Sequence, residues 1–138
     1  MNGKKKKILF IEDEPDQIMM ISLRLKKNGY DVVSSMDGET GLQMAVKEKP
    51  DLALVDVLMP GMDGFEVCRR LRKDPATKHI PIISTTAAGM DDVERQCIAA
   101  GADDCVRKPY DSADLLMKIH RRGFWCPRSG KIIFQADD

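Results

Sequence analysis

Five short apolar runs alternate along the chain with five segments of helical apolar spacing, and this alternation limits the possible folds more than any other feature. The apolar runs have the length of strands and occupy residues 7–12, 30–35, 51–56, 81–86 and 103–108. The helical segments occupy residues 15–29, 38–49, 64–74, 91–101 and 112–122. Strands that are apolar almost throughout are typical of parallel sheets whose two faces are both covered. The sequence therefore predicts an α/β fold.

Right-handed crossovers leave few ways to connect five such units. The best fit is a doubly wound, five-stranded parallel sheet in the order 2-1-3-4-5, with helices on both faces. We expect residues 1–122 to form this single domain. Residues 123–138 fall outside the pattern and are interpreted as a short C-terminal tail or the start of a truncated linker, in which residues 131–134 (KIIF) could form a short strand.

Composition narrows the classes of function. The formal net charge is zero and no apolar run approaches the roughly 20 residues of a membrane span, so we expect neither direct nucleic-acid binding nor a membrane partner. The four cysteines lie far apart without a CxxC pair, which favours reduced thiols in the core of a cytoplasmic protein over a zinc site or disulfides. They are Cys68, Cys97, Cys105 and Cys126. Helical methionines such as Met19, Met20, Met44 and Met117 are interpreted as core residues.

Polar side chains follow the predicted strands at the point where each one ends. Glu12 and Asp13 follow the first strand, Asp56 ends the third, Thr86 ends the fourth and Lys108 ends the fifth. In a doubly wound sheet these ends line one crevice. Clustered carboxylates repel one another unless a cation is present, and an oxygen-only cluster suits Mg²⁺ with room for phosphate oxygens. A carboxylate nucleophile, a metal and positioned donors together favour phosphoryl transfer.

Four segments at these strand ends carry a resemblance to a known family. They are residues 10–16 (FIEDEPD), 54–64 (LVDVLMPGMDG), 81–87 (PIISTTA) and 101–109 (GADDCVRKP). In this order they resemble the receiver domain of two-component response regulators, from about residue 6 to residue 122. The resemblance implies a flavodoxin-like fold and a signalling module rather than an enzyme.

The resemblance also assigns roles to single residues. Asp56 would be the phosphoacceptor, and its donor would be a sensor histidine kinase or a histidine phosphotransfer protein. Asp13, Asp56 and the main-chain carbonyl of Leu58 would bind Mg²⁺ directly, and Glu12 would act through water. Thr86 would donate a hydrogen bond to the phosphoryl group.

Further residues of the motifs receive supporting roles by the same resemblance. Lys108 would pair with a phosphoryl oxygen and would form a cis peptide with Pro109. Pro60 and Gly64 would shape the loop around the metal. The output partner is not specified, and a monomer or weak dimer is expected.

Two positions depart from the family pattern. Glu12 stands where Asp is commoner. Cys105 occupies the place where an aromatic residue usually acts as the switch, so any signal is expected to come from residues 87–92 and the fourth helix. Leu58 and Ala88 offer no acid or amide to orient a hydrolytic water, which predicts a long-lived phosphoprotein.

Other interpretations remain open at this point. A Mg²⁺-dependent phosphohydrolase with an aspartyl-phosphate intermediate would use similar residues, although it would want an acid at the position of Leu58 and a substrate cap. A degenerate receiver that binds partners without phosphorylation is a third possibility. Asp13 or Glu14, taken alone, could simply cap a helix.

Overall fold

The structure is a computed structural model that describes residues 6–59, 61–86, 92–107 and 115–119, together with the backbone of 125–126 and 131–132. Five strands form one parallel sheet in the order β2-β1-β3-β4-β5, which confirms the predicted topology. The strands are β1 (Lys7–Ile11), β2 (Asp31–Ser35), β3 (Leu52–Asp56), β4 (Ile82–Thr86) and β5 (Asp104–Arg107).

Helices cover both faces of this sheet, as predicted. They are α1 (Pro15–Lys27), α2 (Gly38–Glu48), α3 (Gly64–Lys73) and α4 (Val93–Ala100), and residues 115–119 are also helical. One core cluster joins the strands to α2, α3 and α4, and the other joins them to α1 and residues 115–119. Because both faces are covered, all five residues of β3 and all five of β4 are buried, which explains the apolar run in β3 and the two isoleucines that begin β4.

Local signals explain where the helices begin. Asp37 caps α2, its carboxylate accepting a hydrogen bond of 2.7 Å from the amide of Thr40. Asp63 caps α3 in the same way through the amide of Glu66, at 3.0 Å. Helix α1 begins with Pro15, whose fixed backbone angle suits the first helical position. Three residues separate β1 from α1 and two separate β2 from α2, whereas seven separate β3 from α3.

The remaining described segment is a small hairpin. Strands β6 (Trp125–Cys126) and β7 (Lys131–Ile132) pair in an antiparallel manner, which agrees with a short strand in KIIF. No helix in the part of the chain that the structure describes is long and apolar enough to cross a membrane.

The interpretation of the methionines as core residues was wrong for three of the four. Met19, Met20 and Met117 are 66%, 49% and 56% exposed, whereas Met44 packs against the core. Helical spacing alone does not distinguish a core face from an apolar outer face. The cysteines meet the expectation where they can be followed, since Cys68, Cys97 and Cys105 are buried free thiols.

Candidate functional site

Three carboxylates meet where β1 and β3 end. Glu12, Asp13 and Asp56 each place an oxygen so that all three oxygens lie within 4.8 Å of one another. The register of the sheet produces this meeting, because Ile11 lies opposite Val55 and the next residues along are Glu12 and Asp56. Glu12 and Asp56 are buried and Asp13 is half-buried. The sequence prediction that these acids converge is confirmed.

Backbone amides from the following loops orient the two buried carboxylates. The amide of Glu14 donates to Oε2 of Glu12 at 3.2 Å, and the amide of Leu58 donates to Oδ1 of Asp56 at 3.3 Å. Glu14 is the N-cap residue of α1, but its side chain forms no capping hydrogen bond. Helix capping therefore does not account for Glu14, and Asp13 belongs to the carboxylate cluster.

The donor set fits a hard divalent cation. Carboxylate oxygens at these separations repel one another, and a cation between them removes that repulsion. Mg²⁺ prefers oxygen ligands and commonly binds through one or two carboxylates while it keeps several waters. No soft sulfur or imidazole ligand belongs to this group among the residues that the structure describes. These observations favour Mg²⁺ over zinc or copper.

Close packing of α3 against β3 holds the backbone of Asp56 in place. A Cβ atom on Gly64 would collide with the carbonyl oxygen of Asp56 and would lie 2.6 Å from Cα of Val57. The amide of Gly64 also donates to the carbonyl of Val57 at 2.9 Å. Glycine is therefore required here for space, which supports the predicted role of Gly64 in shaping this loop. Pro60 lies outside the described residues.

Two threonine hydroxyls are buried at the end of β4, next to the acids. Thr85 lies opposite Asp56 in the sheet, and Thr86 follows it. Within the described residues, neither Oγ1 has a hydrogen-bond partner. Buried hydroxyls usually find a partner, so an unpartnered one indicates a group that a ligand could satisfy. Thr86 was predicted as a donor to the phosphoryl group, whereas an unpartnered hydroxyl on Thr85 was not predicted.

The position of the expected switch aromatic holds a thiol, as the sequence indicates. Cys105 on β5 lies opposite Ser84 on β4 and is 6% exposed. Its sulfur lies 3.8 Å from the sulfur of Cys97 on α4. The neighbouring Thr86 hydroxyl faces Cys105 without a hydrogen bond of ordinary geometry in this part of the structure. A small side chain therefore fills the space between β5 and α4.

Several predicted residues cannot be placed. Lys108, Pro109 and residues 87–91 lie outside the described residues, so the pairing of Lys108 and the cis peptide stay predictions. The main-chain carbonyl of Leu58 as a metal ligand likewise stays a prediction. The Leu58 side chain itself is 51% exposed.

Comparison with known proteins places this edge of the sheet in a wider context. The sequence model of the response regulator receiver domain matches residues 8–120. The chain belongs to this family. It is a receiver domain, a phosphoacceptor signalling module of two-component systems, and its flavodoxin-like sheet order is that of its structural neighbours.

Individual relatives agree with this assignment. The response regulator PleD of Caulobacter vibrioides is 40% identical over 113 residues, which cover 82% of this chain and 25% of PleD. The chain thus spans about a quarter of PleD. A crystal structure of a protein assigned as a response regulator from Chloroflexus aurantiacus has a TM-score of 0.84 at 34% identity, covering 87% of this receiver and 98% of that chain.

A second solved structure bears on the acidic cluster. The receiver domain of sensor histidine kinase PA1611 from Pseudomonas aeruginosa was crystallised with a magnesium ion coordinated in its active-site cleft. It has a TM-score of 0.80 at 29% identity and covers 87% of this chain and 98% of its own. A protein of the same fold therefore binds Mg²⁺ in such a cleft.

Proposed function

We propose that Asp56 is the residue that accepts the phosphoryl group, in a reaction that requires Mg²⁺. The observation that carries this proposal is the buried cluster of Glu12, Asp13 and Asp56 at one end of a receiver sheet. When bound, the metal would neutralise charge on the carboxylates and on the incoming phosphoryl oxygens. Its ligands would be Asp13, Asp56 and the main-chain carbonyl of Leu58, with Glu12 acting through water.

Asp56 has a fixed backbone position and an oriented carboxylate, and both suit a nucleophile. Its backbone lies at the end of a fully buried strand and is packed against α3 at Gly64. The amide of Leu58 orients one carboxylate oxygen, and the residue is 4% exposed. An Asp56 oxygen would attack phosphorus as the bond to the donor's imidazole nitrogen breaks, which produces an aspartyl phosphate. Fixed geometry of this kind lowers the entropic part of the barrier.

Hydrogen-bond donors for the transferred group would come from neighbouring strands. The unpartnered Thr86 hydroxyl could donate to a phosphoryl oxygen, and Lys108 could pair with another. The module would in this way assist its own phosphorylation and dephosphorylation without being an enzyme for a separate substrate. The hydrolase alternative is less well supported, because Leu58 stands where that chemistry would want an acid.

The wider setting follows from the same proposal. The phosphodonor would be a sensor histidine kinase or a histidine phosphotransfer protein in the cytoplasm, and phosphorylation would shift the affinity for an output partner. The receiver would comprise residues 1–122, and residues 123–138 would lie outside it.

Phosphorylation by a small phosphodonor tests the proposal. Acetyl phosphate with Mg²⁺ should add one phosphoryl group to the wild type, measured as intact mass, and addition of a metal chelator should prevent it. Asp56→Asn should abolish the addition. Asp16→Asn is the matched control, since Asp16 is an exposed acid in the first turn of α1 and should leave labelling unchanged. Labelling of Asp56→Asn, or labelling without metal, would refute the assignment.

A further inference from the structure

Two thiols that the phosphorylation chemistry does not use are in contact beneath α4. The sulfur atoms of Cys97 on α4 and Cys105 on β5 lie 3.8 Å apart, which is van der Waals contact. A third thiol, Cys68 on α3, lies near them, but its sulfur is 3.6 Å from the Ser84 hydroxyl. Cys97 and Cys105 therefore form a pair, while Cys68 has a different partner.

The two sulfurs are not equivalent. Cys105 donates its S–H to the sulfur of Cys97, and this hydrogen bond lowers the pKa of the Cys97 thiol. The same bond, together with burial, raises the pKa of the Cys105 thiol. Burial also raises the pKa of Cys68. Since the thiolate is the form that attacks oxidants, Cys97 is the sulfur best prepared to react first.

The pair lies close to the edge of the sheet. β5 is the last strand in the sheet order, and Cys105 retains 6% exposure there. Cys97 is fully buried directly behind it. A small hydroperoxide would reach this pair through a local separation of α4 from β5.

We propose that Cys97 and Cys105 are a redox modification site, at which a hydroperoxide forms an intramolecular disulfide between α4 and β5. This inference is independent of the phosphorylation chemistry. The bridge requires the two sulfurs to approach from contact distance to a bond of about 2.05 Å. It would tie α4 to β5 at the place where receivers of this family usually carry a switch aromatic.

The chemistry balances in two steps. The Cys97 thiolate attacks one peroxide oxygen, the O–O bond breaks, and the released hydroxide takes a proton to leave as water, so that Cys97 becomes a sulfenic acid. Cys105 then loses its proton and attacks the Cys97 sulfur. The S–S bond forms, the S–O bond breaks, and a second water leaves. Two thiols are oxidised by two electrons in total, and one molecule of hydrogen peroxide is reduced to two waters.

Peptide mapping gives a direct test, because trypsin places both cysteines in one fragment. Residues 96–107 (QCIAAGADDCVR) lie between Arg95 and the cleavage after Arg107, and they contain neither Cys68 nor Cys126. The reduced full chain is treated with hydrogen peroxide, then denatured, alkylated and digested. The expected peptide 96–107 carries no alkyl group and is lighter by about 2 Da than its dithiol form, a loss that dithiothreitol reverses. Peptides with Cys68 and Cys126 should stay fully alkylated.

Variants separate the two steps. In Cys105→Ser, a sulfenic-acid probe such as dimedone should label Cys97, and no disulfide should form. Cys68→Ser is the matched control, since it removes a buried thiol of the same sheet face and should leave the disulfide unchanged. The wild-type peptide map shows whether the disulfide between Cys97 and Cys105 forms, even if a variant folds poorly. A bridge that involves Cys68 or Cys126, a bridge between two chains, or an unmodified peptide 96–107 would overturn the proposal.

Discussion

Arg72 on α3 and Asp103, which precedes β5, form an ion pair with 2.6 Å between Nη2 and Oδ2. The same guanidinium donates to the carbonyl of Gly101 at 2.8 Å and to the carbonyl of Ile80 at 2.6 Å. Asp103 in turn accepts a hydrogen bond from the amide of Ile82. One side chain thus joins α3 to the end of α4 and to the beginnings of β4 and β5.

This network predicts a large effect of a single arginine on stability. Arg72→Ala should lower the free energy of unfolding by about 2 kcal/mol, because it removes the ion pair with Asp103 and leaves the partly buried carbonyls of Gly101 and Ile80 without this donor. Arg72→Lys should recover only part of this loss, since an ammonium group cannot reproduce the planar set of donors. Arg69→Ala is the control. Arg69 pairs with Glu66 at the surface, and its loss should cost less than about 0.5 kcal/mol in urea unfolding. Equal losses for Arg72 and Arg69 would contradict the role of the network.

Gly64 is predicted to couple stability to the phosphoacceptor. Gly64→Ala would place a Cβ against the backbone of Asp56 and Val57, which cannot move aside as a flexible side chain can. We expect a loss of roughly 3 kcal/mol and slower labelling by acetyl phosphate. Gly29→Ala is the matched control, because Gly29 has a positive φ of 92° but open space around it. It should cost about 1 kcal/mol and leave labelling unchanged. Normal labelling in Gly64→Ala would show that this close approach does not matter.

Tyr30 should make stability fall at alkaline pH. Burial raises the pKa of Tyr30 from 10.0 to about 12. Between these values the unfolded chain loses its phenolic proton while the folded chain keeps it. The contribution of Tyr30 to stability is therefore fully present below pH 10 and declines as pH rises towards 12. The decline from this residue should total about 3 kcal/mol, the free-energy equivalent of the difference between the two pKa values. The difference in unfolding free energy between wild type and Tyr30→Phe isolates it, because other groups cancel. A difference that stays constant from pH 9 to 11.5 would contradict this prediction.

The lifetime of the phosphoprotein should depend on Leu58. Its side chain lies half-exposed beside Asp56 and has no group that could orient a water. We expect the wild-type phosphoryl group to persist for hours rather than seconds. Leu58→Asn should speed hydrolysis by roughly tenfold, since positioning the water is a large part of this catalysis. Leu58→Met, which adds no polar group, is the control. Loss of phosphate is measured by intact mass over time, and a wild-type lifetime of seconds would overturn the interpretation.

Much of the fold could be predicted because the strands are buried on both faces. Apolar runs such as β3 have no other stable environment, and parallel strand ends must share an edge, which placed Glu12 beside Asp56. The network of Arg72 could not be predicted, since its acceptors are mostly backbone carbonyls that the sequence does not mark. The contact between Cys97 and Cys105 depends on side-chain directions across two elements. Met19 was misassigned because its spacing fits either face of α1.

The most direct test of the central claim is to locate the phosphoryl group chemically. Borohydride reduces an aspartyl phosphate to homoserine, which marks the modified residue permanently. After reaction with acetyl phosphate and Mg²⁺, reduction and digestion, fragmentation of the tryptic peptide 48–69 should place homoserine at position 56 and leave Asp51 and Asp63 intact. Homoserine at Asp13 or at any position other than 56, or its complete absence, would contradict the account.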